Sequence, residues 1–179
     1  MKKSALIILI LLGTMTGAFA QRFAYVNTDY ILANIPAFEE AQDKIDAMSE
    51  EWGQEIAKKQ KGIEELYRKF QNEQYLLTEE VKKERISQIE SKERELKDYQ
   101  KSKFGYEGEL FQKREELIKP IQDDVFAAIE KLAKDRGYDF IFDKANSTTV
   151  LFANTKNDRS DDVLRALGIT PGQTNSNED

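Results

Sequence analysis

The side chains able to do chemistry are few, and their spacing works against it. There is no cysteine and no histidine. That excludes Cys–His and Ser–His nucleophiles, thiolate metal sites and disulfides together. Carboxylates occur as adjacent pairs, Asp123-Asp124 and Asp161-Asp162. Neighbours on a helix point about 100° apart, so neither pair converges on one reacting atom. Asp158, Ser160 and Asp162 alternate like the start of a calcium loop, but its central glycine and closing glutamate are missing. These residues read as caps and solvated faces. Gly168 and Gly172 follow a helical pattern rather than a strand, unlike a phosphate loop. No enzyme activity, cofactor site or metal site is expected.

The elements that remain must therefore work by shape. The chain has 179 residues, 34% of them charged, with only 3 prolines, a length that bounds it to one or two domains. A formal charge of −6 argues against a nucleic-acid partner. Residues 1–20 have the three parts of a secretory signal peptide: Lys2 and Lys3, the apolar Ala5 to Leu12, and Ala18-Phe19-Ala20. Cleavage is expected after Ala20, because the apolar run is well short of the ~20 residues that span a bilayer. No cysteine follows it to carry a lipid anchor. The mature chain would begin at Gln21 with 25 basic against 33 acidic residues, or −8. Without disulfides, an exported chain must be stabilised by packing or by oligomerisation.

Residues 36–120 read as one long antiparallel helical hairpin. No proline lies between Pro36 and Pro120. Phe38, Ile45, Trp52 and Leu66 repeat every seven residues, interrupted by Lys59, and Ile56, Ile63, Phe70 and Leu77 form the partner series. A seam sustained over so many heptads indicates a coiled coil. Ile89, Leu96, Leu110 and Leu117 return at the same period, broken by Lys103, with Tyr99 and Tyr106 in a neighbouring row. The turn falls near Thr78, midway between the prolines, where Thr78-Glu79-Glu80 looks like an N-cap with an acidic first turn. Pro36 suits a first helical position, and Pro120 is expected to kink or interrupt a helix about one turn earlier.

Such an arm needs a body, expected from residues 21–35 and 121–169. Phe23 to Val26 is a strand candidate. Ile121 to Lys134 continues as an amphipathic helix ended by Gly137. Tyr138 to Asp143 and Thr149 to Phe152 read as a β-hairpin about a turn at Lys144 to Ser147. Ser160-Asp161-Asp162 is expected to cap a short helix through Leu167, stopped by Gly168, and 170–179 to be a disordered tail. The fold class is α+β, mostly α. Three short strands make too small a core alone, so oligomerisation through them is the sensible completion.

This order of parts resembles the Skp/OmpH family of periplasmic chaperones over essentially the whole mature chain. The residues that carry the resemblance are Phe23 to Asn27, Tyr30-Ile31-Leu32 with Pro36, Lys119-Pro120-Ile121-Gln122, Gly137 to Asp143 and Asp158 to Leu164. Ser160 stands where the family usually has threonine. The resemblance implies a homotrimer, with strands of three chains forming a β-barrel hub from which three helical tentacles surround a cavity. It implies an ATP-independent holdase in the periplasm whose partners are unfolded outer-membrane β-barrel proteins. Phe23, Tyr25, Phe140, Phe142, Val150 and Phe152 would then pack the body and the trimer interface, although an intrachain core would use the same residues. The alternative is a passive envelope scaffold whose coiled coil binds one folded partner.

Tyr67, Tyr75, Phe104 and Phe111 are the candidate client-facing residues. Phe104, Phe111, Ile118 and Val125 form an apolar row beside the seam, which would widen the apolar face of the arm. Gly53 and Gly62 on the outgoing helix, and Gly105 and Gly108 on the return, each cost about 1 kcal/mol in a helix interior. Symmetry about Thr78 sets Gly53 near Gly105, a pairing that reads either as a hinge near the arm base or as local weakening. From Glu55 to Gly105 there are 13 basic and 11 acidic residues, while the mature segments before and after are each −5. So slight a positive excess argues against tight binding to anionic membrane or lipopolysaccharide.

Overall fold

The computed structural model describes residues 21–145 and 150–172. The expected leader and most of the expected tail lie outside them, as do Asn146 to Thr149 of the expected hairpin. The described chain is mostly helical, with one small sheet: β1 (Phe23–Val26), α1 (Thr28–Ala33), α2 (Pro36–Glu73), a 3-10 turn (Gln74–Leu76), α3 (Glu79–Phe104), α4 (Glu109–Leu117), α5 (Lys119–Arg136), β2 (Phe140–Asp143), a second 3-10 turn (Thr155–Asn157) and α6 (Ser160–Ala166).

α2 runs for 38 residues, about 57 Å at the α-helical rise. Pro36 opens it, because its missing N–H is one the first turn leaves unpaired anyway. Residue 78 is where the sequence places the reversal. Thr78 is in extended conformation, and its hydroxyl accepts the Val81 N–H at 3.4 Å ahead of Glu79 and Glu80. α3 then runs back along α2. Ile63, Ile89 and Leu96 form a buried cluster flanked by Ile56, Leu66 and Phe70, so the predicted seam is the packed seam.

The return differs from one continuous helix. It breaks first over Gly105–Gly108. Gly105 is extended, Glu107 takes φ 55°, and the Gly108 N–H donates to the Gly105 carbonyl at 2.9 Å. A Cβ on Gly105 would stand 2.3 Å from the Lys101 carbonyl oxygen, so the break requires glycine there. The second break is at Ile118, nearer Pro120 than one turn. Pro120 has no N–H for the carbonyl four residues back and sits in the first turn of α5. α5 ends at Gly137, left-handed at φ 65°.

The expected β-hairpin is corrected. β2 pairs in parallel with β1, in the register Phe23↔Phe140, Ala24↔Ile141, Tyr25↔Phe142 and Val26↔Asp143, while Val150 to Phe152 form no strand. The physical reason is the crossover. A parallel pair needs a long crossover, which the helices between β1 and β2 supply, and this pairing puts Ile141 against the core on the side of Val26. That core joins Val26, Ile31 and Ile35 to Val125, Ala128 and Leu132 of α5 and to Val163 and Leu164 of α6. A second cluster, Ala41, Ile45 and Ile118, seats the base of α2 against α4 and α5.

Ser160 is also corrected, from cap to tie. It is 3% exposed. Its Oγ accepts the Asn27 N–H at 2.9 Å and donates to Asp158 Oδ1 at 2.6 Å, and Asp158 accepts the Ser160 N–H at 2.9 Å. The serine thereby joins the end of β1 to the start of α6. Ser160→Ala should cost about 1–3 kcal/mol by leaving a buried N–H unpaired. Conversely, a Cβ on Gly53 or Gly62 meets nothing within 4 Å, so Gly53→Ala and Gly62→Ala should each add about 0.4–1 kcal/mol. Gly105→Ala should destabilise. Urea unfolding followed by far-UV circular dichroism checks all four signs.

Candidate binding surfaces

Alternation along the strands gives the sheet two faces. Ala24, Val26 and Ile141 point to the core, and Phe23, Phe140 and Phe142 to the other side. Their rings form a stacked triad: Phe23 is 5.8 Å from Phe140 and 6.3 Å from Phe142, and Phe140 is 6.3 Å from Phe142. Phe140 nevertheless remains 55% exposed. Beside the triad an open groove of about 640 Å³ includes Tyr25, Phe142, Val150, Leu151 and Phe152 in its lining, and Phe152 is 85% exposed. Of the six residues expected to pack the body, Tyr25 alone is fully buried in the single chain, and Val150 is partly covered. An intrachain core is thus not what Phe23, Phe140, Phe142 and Phe152 fill. Burial, with the Asp158 carboxylate beside it, pushes the Tyr25 phenol above its ordinary pKa.

The helical pair carries the second surface. Two lysines that interrupt the heptads meet one aromatic ring. Lys59 Nζ lies 5.3 Å and Lys103 Nζ 5.6 Å from the centre of Tyr99, and Lys103 also lies 4.9 Å from the centre of Trp52. Glu55 pairs with Lys59 at 3.4 Å, and Glu109 pairs with Lys103 across the Gly105–Gly108 break. The polar interruptions are thereby partnered by cation–π contacts between the helices, Lys103 more covered than Lys59. Spacing marked the lysines as breaks, yet nothing in the sequence marks Glu109 as the partner that bridges two helices.

Phe104 sets its edge on Trp52 with ring centres 5.9 Å apart, so it supports the seam as much as it faces solvent. The row Phe104, Phe111, Ile118 and Val125 is not uniformly exposed, since Ile118 and Val125 are buried at the base. Phe111 and Tyr67 are about half exposed, and the negative charge of Glu93 leads the causes raising the Tyr67 phenol pKa. Tyr75, at the turn, is 86% exposed beside an equally exposed Leu76. Gly53 and Gly62 sit within an unbroken α2, with Gly53 next to Trp52 and hence level with the break in the return. Among the described residues no cluster of three or more Asp or Glu is placed to hold a metal, and no helix is long and apolar enough to cross a membrane.

Trp52 is the sole tryptophan and is 9% exposed. Phe104→Ala should therefore red-shift its emission and increase acrylamide quenching while helix content holds. Unchanged emission would show that Phe104 does not cover the indole.

No curated protein matches the chain. Among solved structures, one described as a candidate outer membrane chaperone (OmpH-like) from Caulobacter crescentus CB15 is similar in fold. It shares 9% identity over 84% of this chain and 86% of that one, with a TM-score of 0.64. The family described as Outer membrane protein (OmpH-like) matches over residues 22–167, from β1 through α6 and both surfaces, and the chain belongs to that OmpH-like family.

Proposed function

We propose that this chain is a periplasmic, ATP-independent holdase that keeps unfolded outer-membrane β-barrel proteins from aggregating. In this reading the leader is cleaved after Ala20 and the working form is a homotrimer. The observation that carries it is the sheet face of Phe23, Phe140 and Phe142. Three stacked phenylalanines beside an apolar groove are left open to water in the single chain. Exposed contiguous apolar area of this kind marks an association surface, and a two-stranded sheet has too little interior to stand alone. A second and third copy, each adding strands, would close the face and form the barrel hub. The helical pairs then hang from it as hairpin arms around a shared cavity.

Membership of the OmpH-like family supports the chaperone reading. The arms offer Tyr67, Tyr75 and Phe111 as partly exposed aromatic contacts on a nearly neutral surface, suited to apolar client segments rather than to one charged partner. Capture would rest on many weak contacts and confinement.

The double variant Phe140→Ser, Phe142→Ser should run as a monomer by native mass spectrometry while keeping its helical spectrum. A persistent trimer would exclude this face as the interface. Tyr67→Ser, Tyr75→Ser and Phe111→Ser together should leave the trimer intact and weaken suppression of aggregation of an unfolded β-barrel protein several-fold. Undiminished suppression removes these residues from the client surface. A wild-type monomer with no holdase effect would favour the passive scaffold instead.

A further inference from the structure

The structure fastens the mature chain from its second residue. The Arg22 N–H donates to Asp139 Oδ2 at 2.9 Å, and the Asp139 N–H donates back to the Arg22 carbonyl at 3.0 Å. The Arg22 guanidinium donates through Nη1 to the Arg136 carbonyl at 2.6 Å and lies 5.2 Å from the centre of the Tyr138 ring. Arg159 approaches the same ring at 5.7 Å and donates to its hydroxyl at 2.6 Å. Arg22 therefore ties the start of β1 to the end of α5 and the approach to β2. Gln21 stands one residue outside this clamp. It is exposed, and among the described residues it makes no hydrogen bond or ion pair through its amide or its backbone.

We propose that Gln21 is a modification site, where the mature N-terminus closes on itself to a pyroglutamyl residue. The inference rests on cleavage after Ala20, as read above. The α-amine attacks Cδ of the Gln21 carboxamide, the new N–Cδ bond closes a five-membered lactam, and the Cδ–Nε2 bond breaks. One proton of the amine passes to the departing nitrogen, which leaves as ammonia, and the other stays as the lactam N–H, so the step is a transamidation with no change of oxidation state. It needs a side chain that no described residue holds, and the clamp takes its bonds only from residue 22 onward. An α-amine with an ordinary pKa of about 8 is partly unprotonated, and so nucleophilic, near neutral pH.

The closed end has a purpose that the geometry supplies. A peptidase that removed two residues would take Arg22 and with it the tie between β1 and α5. A lactam carries no free α-amine for such an enzyme to grip.

The test uses the full chain with its leader, exported by a bacterial host. Free amines are dimethylated on the native protein before any acid step, and the protein is then cleaved before Asp29. A peptide of residues 21–28, unlabelled and lighter by one ammonia, is expected. The same peptide with an intact, labelled Gln21 would overturn the proposal while leaving export and cleavage standing. A first peptide that starts elsewhere would overturn both. Gln21→Ala should take the label, and a broad-specificity aminopeptidase should trim it past Arg22 at least ten-fold faster than the wild-type end. Equal trimming would remove the protective role.

Discussion

The rest of the molecule depends on the parallel pairing of β1 with β2. The four residues Phe23–Val26 must meet four that come more than a hundred residues later. Whatever lies between has to leave the body and come back to the same place. A helical pair reversing near Thr78 does this, with Pro36 opening its outward helix and Pro120 ending its return at a common base. Parallel strands also dictate the rest of the body. The crossover puts α5 on one face of the sheet, so the sheet has one dry side, while Phe23, Phe140 and Phe142 stay exposed on the other.

Along the pair, two rules conflict and both are satisfied. A heptad seam should be apolar throughout, yet Lys59 and Lys103 interrupt it. Each interruption falls on Tyr99, and Lys103 reaches Trp52 as well. The ammonium groups lie against ring faces while Glu55 and Glu109 accept their charge. Two lysines in one place would repel. Each has a carboxylate partner, and the ring contacts of Lys59 with Tyr99 and of Lys103 with Trp52 cross between α2 and α3.

What was legible in the sequence was local. The seven-residue repeat of α2, Pro36, the Thr78 cap and Gly137 each leave a signature within a few residues, and each stands where that signature puts it, whereas the break before Pro120 falls closer to it than expected. Strand pairing leaves none. Tyr138 to Asp143 is next to Thr149 to Phe152 in sequence, so a hairpin was the natural reading, but the partner lies at Phe23 to Val26. Gly105 and Gly108 were visible as weak points of a helix. That they form a full break follows only from the approach of Gly105 to the Lys101 carbonyl. The triad Phe23, Phe140 and Phe142 was legible as apolar strand residues, whereas its openness to water is a property of the three-dimensional sheet. Ser160 reads as a cap in one dimension because the Asn27 N–H it accepts is 133 residues away.

One last consequence comes from the four-residue interruption between α3 and α4. The outward helix is a single rod of 38 residues, and the path back is two shorter rods of 26 and 9. Such a beam has one solid rail and one jointed rail. The Lys103–Glu109 ion pair spans that interruption, and Lys103 also lies against Trp52 of the continuous helix. Continuity along the pair therefore rests on α2 alone, and the return path is joined across its gap by side chains.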